Sequence, residues 1–231
     1  MEIGNPKRLE QPDGAPVRSM SPNVVEAGLK RFADLVVAIS GLIFLAPILA
    51  AVGLAIRIRM GPPVIFRQLR PGLHGSVFWM YKFRTMIDDA EQSRVPGEDD
   101  LRLTQLGRWL RSTSLDELPE LVNVARGDMS LVGPRPLLVE YLPLYNPQQA
   151  RRHEVRPGMT GLAQVRGRNS LSWEERFEYD VWYVDHRSLR LDLSILADTV
   201  WTVLARRGIS HPNQATMSRF SGSAGRLGEE S

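Results

Sequence analysis

The longest uncharged stretch of the chain runs from Leu35 to Ile56, LVVAISGLIFLAPILAAVGLAI. That length suffices to cross a hydrocarbon core. The lack of any charge favours membrane insertion over a buried soluble helix. Pro47 falls near its middle, where the missing N–H bends a helix. Lys30 and Arg31 precede the stretch, and Arg57 and Arg59 follow it. Basic residues on both sides orient no single span. They fit a hairpin with both ends cytoplasmic, and the other reading is a kinked spanning helix. Ahead of the stretch, Met1 to Pro22 is polar, carries four prolines and reads as a disordered leader. It is not a signal peptide, because the apolar run begins late, is too long and lacks a small-residue cleavage site.

Past Gly61-Pro62-Pro63 the pattern changes period. Val64 to Phe66 and Val77 to Phe83 read as short strands, with turns at Arg70-Pro71-Gly72 and His74-Gly75 between them. A small hairpin follows from this. Asp88 to Asp100 is acidic, contains Pro96-Gly97 and reads as a mobile surface loop. Leu103, Leu106 and Leu110 then recur at helical spacing. Ser114 and Glu117 match a capping box that would open a helix at Leu115. Pro119 would then delete a helical hydrogen bond, which a start at Leu118 avoids. Either start leaves Asp116 and Glu117 at or just before a helix N-terminus, where free N–H groups favour anions.

Downstream, Gly127-Asp128, Gly133-Pro134-Arg135-Pro136, Pro157-Gly158 and Thr160-Gly161 are turn signals. Ser172 and Glu175 form a second capping box, opening a helix to about Val184. Ser188 to Arg207 reads as a helix with one apolar stripe, Leu189, Leu193, Leu196, Val200 and Val203 or Leu204. The stripe faces either the core or a membrane surface. From His211 the chain is polar and Ser/Gly-rich and reads as a mobile tail.

Composition narrows the chemistry. The chain has 231 residues and no cysteine. That size suggests one domain with appendages. Disulfides, thiolate zinc sites and a cysteine nucleophile are excluded. The net charge is +3 and the pI about 9.5, which suits a neighbour of anionic lipid or phosphorylated substrates. Runs of about five or six basic residues, the mark of a nucleic-acid arm, do not occur.

On spacing alone, Asp116 and Glu117 read as capping acids and Arg135 as a surface base. The longer string alters this. SLDELPEL followed by GDMSLVGPRP resembles the signature of the bacterial sugar transferase family, the monotopic phosphoglycosyl transferases. Arg151 to Asn169, ending RPGMTGLAQVRGRN, resembles that family's RPGITGWAQVNGRN block. YKFRTM at Tyr81 to Met86 is similar to its YKFRSM block, and YVDHRSLRLDL to its block ending SLxLDL. The resemblance covers roughly Lys30 to Gly208.

The resemblance implies a mainly α chain with a small β-hairpin (α+β). A leader would occupy 1–22, a re-entrant membrane helix–break–helix 23–60, and a catalytic domain with amphipathic interfacial helices 61–210. A mobile tail would occupy 211–231. The break would fall at Ala46-Pro47, where the family often has Ser-Pro. The chain looks like the family's small catalytic form, at the cytoplasmic face of a bacterial plasma membrane. Such enzymes move a sugar-1-phosphate from a UDP-sugar to polyprenyl (undecaprenyl) phosphate and release UMP. Asp116 would be the nucleophile, forming an aspartyl phospho-sugar in a ping-pong cycle. Glu117 would bind or orient Mg²⁺ or assist proton movement, with Asp116 also touching the ion. Arg111 and Arg135 would bind phosphate. Lys82 and Arg84 would hold diphosphate or lipid phosphate. Arg156, Arg166, Arg168 and Asn169 would meet diphosphate or uracil, or lie on anionic headgroups. The partners implied are donor, lipid acceptor and bilayer, with no nucleic acid and with homo-oligomerisation left open. The alternative function is a non-enzymatic lipid-binding adaptor.

Overall fold

The uncharged stretch folds as two helices rather than one. Residues 24–87, 102–167, 171–204 and 219–222 are described by the structure, a computed structural model. Helix α1 spans Val24–Phe44 and α2 spans Ala46–Met60, with Pro47 in the first turn of α2. Proline suits that place because its absent N–H has no helical partner there. The pair is bent by 61°. Main-chain bonds from Leu45 N to Gly41 O (2.9 Å) and from Leu49 N to Leu45 O (2.8 Å) flank the bend. The bend therefore forms with Ala46 at the position where the family often has a serine. Among the described residues no single helix is long and apolar enough to cross a membrane, while the bent pair passes that test together.

Helix α1 has inverted polarity. Lys30 and Asp34 lie one turn apart on one face, and that face is turned into the protein. Lys30 donates to the Asp192 carboxylate at 2.5 Å and to Val132 O at 3.2 Å. Asp34 accepts from Ser130 Oγ (2.8 Å) and Leu131 N (3.2 Å). Arg31 donates to Val124 O (2.7 Å) and Ala125 O (3.1 Å), the last carbonyls of a neighbouring helix. Read from sequence as flanking charges, Lys30 and Arg31 are instead committed to the domain. The outer side of α1 exposes Phe32, Val36, Ile39, Ile43 and Phe44, the last 81% exposed. A continuous apolar face of this kind marks an interaction with apolar surroundings.

Strands β1 (Ile65–Pro71) and β2 (Val77–Phe83) pair antiparallel, from Ile65↔Phe83 to Pro71↔Val77. The hairpin expectation holds, with a shifted turn. Arg70 and Pro71 belong to β1, and the reversal is made by Leu73–Gly75, where His74 (φ 54°) and Gly75 (φ 76°) are left-handed. Proline is tolerated at the end of β1, where no ladder donor is required. Helix α3 spans Gln105–Ser112, and Thr104 Oγ1 caps it by accepting from Gly107 N (2.9 Å). Leu103 lies outside α3, bridged to Met86.

Helix α4 spans Glu120–Arg126. The capping box expected at Ser114 does not form, because Ser114 is itself left-handed (φ 57°) and its side chain caps nothing. A 3₁₀ turn, Leu115–Glu117, comes first, and α4 starts after Pro119. The second of the two predicted starts is thus the nearer one.

A second sheet was not anticipated. Strands β3 (Ser130–Val132) and β4 (Gly158–Thr160) pair parallel, β3 between two turn signals and β4 overlapping two others. The two backbones touch at glycine: a Cβ on Gly158 would lie 2.1 Å from Gly133 N. Helices α5 (Leu162–Arg166), α6 (Trp173–His186) and α7 (Leu189–Leu204) complete the fold. The Ser172–Glu175 capping box at the start of α6 forms as read. The predicted stripe on α7 is not its core face: Leu193 and Val200 are exposed, as is Trp201, while the buried apolar residue is Ile195, off the stripe. The core joins α1, β2, α4, β3 and α5–α7 through Met80, Leu121, Val124, Met129, Val132, Leu162, Tyr183 and Ile195. The mainly helical, small-sheet expectation is met.

Phe220 lies within the expected mobile tail, yet it is 4% exposed and packs against Tyr141, Tyr145, Trp173 and Phe177. An aromatic cluster offers enough apolar area to hold it. The leader and the Asp88–Asp100 loop lie outside the described residues.

Candidate active site

The 3₁₀ turn Leu115–Glu117 sets two carboxylates beside β2 and the loop after β3. Ser114, in the sparsely populated left-handed region, turns the chain from α3 into this position. Such an outlier in a non-glycine residue is held only when its surroundings enforce it. Asp116 is 7% exposed, and no described donor bonds its carboxylate. Glu117 Oε1 accepts from Lys82 Nζ at 2.8 Å and from Arg135 Nη2. Lys82 Nζ also lies 3.0 Å from Glu120 Oε1, on the first residue of α4. Glu120 is 1% exposed.

The titration of these groups follows from their neighbours. Burial raises the Asp116 pKa and Glu117 adds to the rise, while Lys82, Arg111 and Arg135 oppose it. Burial also pushes Glu117 up, but Arg135 and Lys82 outweigh it and hold that carboxyl well below the usual range. Glu117 is thus a fixed anion. The Arg135 guanidinium is held above its ordinary value by Glu117 in particular. Burial pushes Glu120 up to about 7 against the pull of Lys82. Opposite charges favour ionisation and burial opposes it, so three acids within two turns acquire different proton affinities.

Five of the residues expected from sequence therefore come together: Asp116, Glu117, Lys82, Arg111 and Arg135. Arg111 Nε donates to Thr85 Oγ1 at 3.2 Å, and its charge reaches Asp116. Others stand apart. Arg84 donates to Met60 O, Gly61 O (2.7 Å) and Pro62 O (2.9 Å), closing the C-terminal end of α2. Its nearness to Lys82 in sequence misleads because Arg84 lies past the end of β2, where the carbonyls at the end of α2 take its guanidinium. Arg156 Nε donates to Gly127 O at 2.9 Å, beyond the C-terminus of α4. Arg166 stands on α5, where its charge acts on Tyr179. Arg168 and Asn169 lie outside the described residues.

Two residues that position the site carried no motif. Asn123 is fully buried; its Oδ1 accepts from Tyr81 N (3.1 Å), and its Nδ2 donates to Trp79 O (2.7 Å) and Asp128 Oδ2 (3.0 Å). It fastens α4 to the free edge of β2, beside Lys82. Arg152 Nη2 donates to Asp180 Oδ2 and to Arg135 O, both at 2.7 Å. This buried pair fixes the main chain that carries Arg135. A buried asparagine in α4 and an arginine with an acid 28 residues away were the available signals, and neither is distinctive before folding.

A metal would find few protein ligands here. Among the described residues no group of three or more His, Cys, Asp or Glu could hold an ion. Asp116 and the second oxygen of Glu117 are the uncommitted donors. That set fits Mg²⁺, which commonly takes one or two carboxylates and completes its shell with water and substrate phosphate. A cavity of about 270 Å³ lies elsewhere, between α1 and the α6–α7 junction. Lys30, Asp34 and Tyr183 in its wall are bonded to the protein.

Comparison with known proteins gives a consistent picture. Residues 25–206 match the family model described as Bacterial sugar transferase. The chain is 54% identical over 195 residues to an uncharacterized sugar transferase, EpsL, of Bacillus subtilis, covering 84% of this chain and 96% of that one. It is 41% identical to a UDP-glucose:undecaprenyl-phosphate glucose-1-phosphate transferase of Caulobacter vibrioides, covering 79% of this chain and 72% of the relative. An undecaprenyl-phosphate galactose phosphotransferase of Salmonella typhimurium is 40% identical over 78% of this chain, which spans only 41% of that relative's length.

Proposed function

Because the chain belongs to the bacterial sugar transferase family, we propose that it is a phosphoglycosyl transferase that moves a sugar-1-phosphate from a UDP-sugar to polyprenyl phosphate. Relatives named for that reaction with glucose and galactose support the reading. The observation that carries it is the setting of Asp116: buried, unbonded by any described donor, and among three cations. A carboxylate left free in such surroundings suits attack on phosphorus, as in aspartyl-phosphate enzymes.

In the first half-reaction an Asp116 oxygen bonds to the β-phosphorus. The bond to the bridging oxygen breaks, and UMP departs with the electron pair. In the second, an oxygen of polyprenyl phosphate attacks the same phosphorus and frees the Asp116 carboxylate. Arg111, Arg135 and Lys82 screen the negative charge of the diphosphate, which otherwise repels the nucleophile. Glu117 holds Lys82 and Arg135 in place as a permanent anion. Asp116 and Glu117 would hold Mg²⁺, which would supply further charge neutralisation.

The bent helix pair supports a re-entrant anchor. In this reading α1 and α2 enter and leave one leaflet, with α7 on the membrane surface and Trp201 at headgroup level. The site then lies at the cytoplasmic face, where a soluble donor meets a lipid acceptor.

The test uses the full chain in lipid vesicles with polyprenyl phosphate, Mg²⁺ and a panel of UDP-sugars, following UMP. Asp116→Asn is expected to lower UMP release about a thousandfold or more. Near-normal turnover by that variant would overturn the reading. Vesicle binding that weakens with salt, without UMP from any sugar, would favour a lipid-binding adaptor.

A further inference from the structure

A cation beside this site has no counter-ion among the described residues. Arg70 lies on β1 opposite Phe78, and Phe66 lies opposite Lys82. Alternate residues share a face, so Arg70 and Lys82 project from the same side of the hairpin, the side that buries Met80 in the core. Among the described residues Arg70 forms no ion pair. Its one hydrogen bond runs from Nη2 to the neutral amide oxygen of Gln68, at 2.6 Å. Its Nε is buried with no acceptor.

Its neighbours make this imbalance worse. Burial, then repulsion from Arg135, lowers the Arg70 pKa to about 10. The one carboxylate acting on it is Glu120, already held by Lys82 at 3.0 Å. Like charges placed together, with desolvation opposing both, are expensive unless an anion joins them. A planar guanidinium with unused donors fits phosphoryl oxygens in particular.

From this we infer that Arg70 is a phosphate-binding residue of the active site, joining Arg135 on the diphosphate of the donor. The inference rests on the transferase reading for its substrate, while its physical content is a diphosphate-binding guanidinium next to Arg135. Lys82 and Arg135 both contact Glu117, and Arg70 stands farther along the hairpin face that carries Lys82. Arg70 grips the leaving phosphate while Lys82 stays near the nucleophile.

The experiment measures binding of inorganic diphosphate with Mg²⁺ by calorimetry, and donor KM and kcat by UMP release, on the full-length protein. Arg70→Gln, Arg70→Lys and Arg67→Gln are compared with wild type. Arg67 is the control: it lies on the opposite face of β1, its guanidinium 6.0 Å from the Trp79 ring. Loss of one charge-assisted phosphate contact is expected to weaken diphosphate binding and raise donor KM about tenfold in Arg70→Gln. Arg70→Lys should recover part of this, and Arg67→Gln should match wild type. Folded Arg70→Gln binding diphosphate within about twofold of wild type would overturn the inference, even with a lowered melting temperature. If Arg70→Gln does not fold, Arg70→Met, which keeps the apolar stem without the charge, decides by the same criterion. If wild type releases no UMP from any sugar, the transferase reading fails, and diphosphate binding still decides the role of Arg70.

Discussion

At the scale of single residues, Glu117 and Glu120 show how one lysine produces two unlike acids. Both carboxyls face Lys82, but Arg135 joins only Glu117 in a bond. Glu117 is therefore held ionised, and burial pushes Glu120 up to about 7. An acid whose pKa is raised by folding contributes stability that is full below its unfolded value, 4.5, and is lost as pH rises through about 7. Glu120→Gln has no proton to lose. We expect it to flatten the decline in stability between pH 4.5 and 7, as read by denaturant titrations across that window. A slope equal to wild type would show that Glu120 ionises as freely folded as unfolded. Asp116 and Glu117 were legible as a pair from their motif. Their division into a free carboxylate and a bound one was not, because Lys82 and Arg135 reach Glu117 from 35 and 18 residues away.

At the scale of elements, the site depends on short pieces held by buried polar bonds. The loop carrying Arg135 follows β3, a three-residue strand paired with β4 from 28 residues downstream. Three residues show no alternation to read, and glycine at 158 signals a turn as readily as a close backbone contact. That is why the capping box of α6, a local device, was visible in sequence and the parallel pair was not. Arg84 illustrates the same limit: its role is set by the carbonyls at the end of α2, which meet it only after folding. Arg152 bonds both Asp180 and the carbonyl of Arg135. Removing one partner leaves the other charge buried and unpaired, which typically costs about 3–5 kcal/mol. Arg152→Ala is expected to lose that much in urea unfolding. A loss under about 1 kcal/mol would mean the pair contributes little beyond a surface ion pair.

At the scale of the whole molecule, α1 joins membrane-type and catalytic surfaces in one helix. Its apolar character was legible, whereas the fold class came from the family resemblance. Its inward face was not, because Lys30, Arg31 and Asp34 precede the uncharged run and resemble flanking charges. The re-entrant reading predicts that both ends of the pair lie on one side. The natural chain has no cysteine, so single cysteines at Val25 and Arg59 report topology directly. An impermeant maleimide should label both from the cytoplasmic side and neither from outside. One label from each side would show a spanning helix and displace the site from its proposed surface.

In the proposed mechanism Asp116 carries the phospho-sugar between donor and acceptor. This is tested most directly by intact-protein mass after incubation with Mg²⁺ and UDP-sugars in the absence of lipid acceptor. Wild type should gain the mass of one sugar phosphate and release UMP, and Asp116→Asn should gain nothing. Wild type that stays unmodified, yet releases UMP once polyprenyl phosphate is added, would contradict the covalent route and place transfer in a ternary complex.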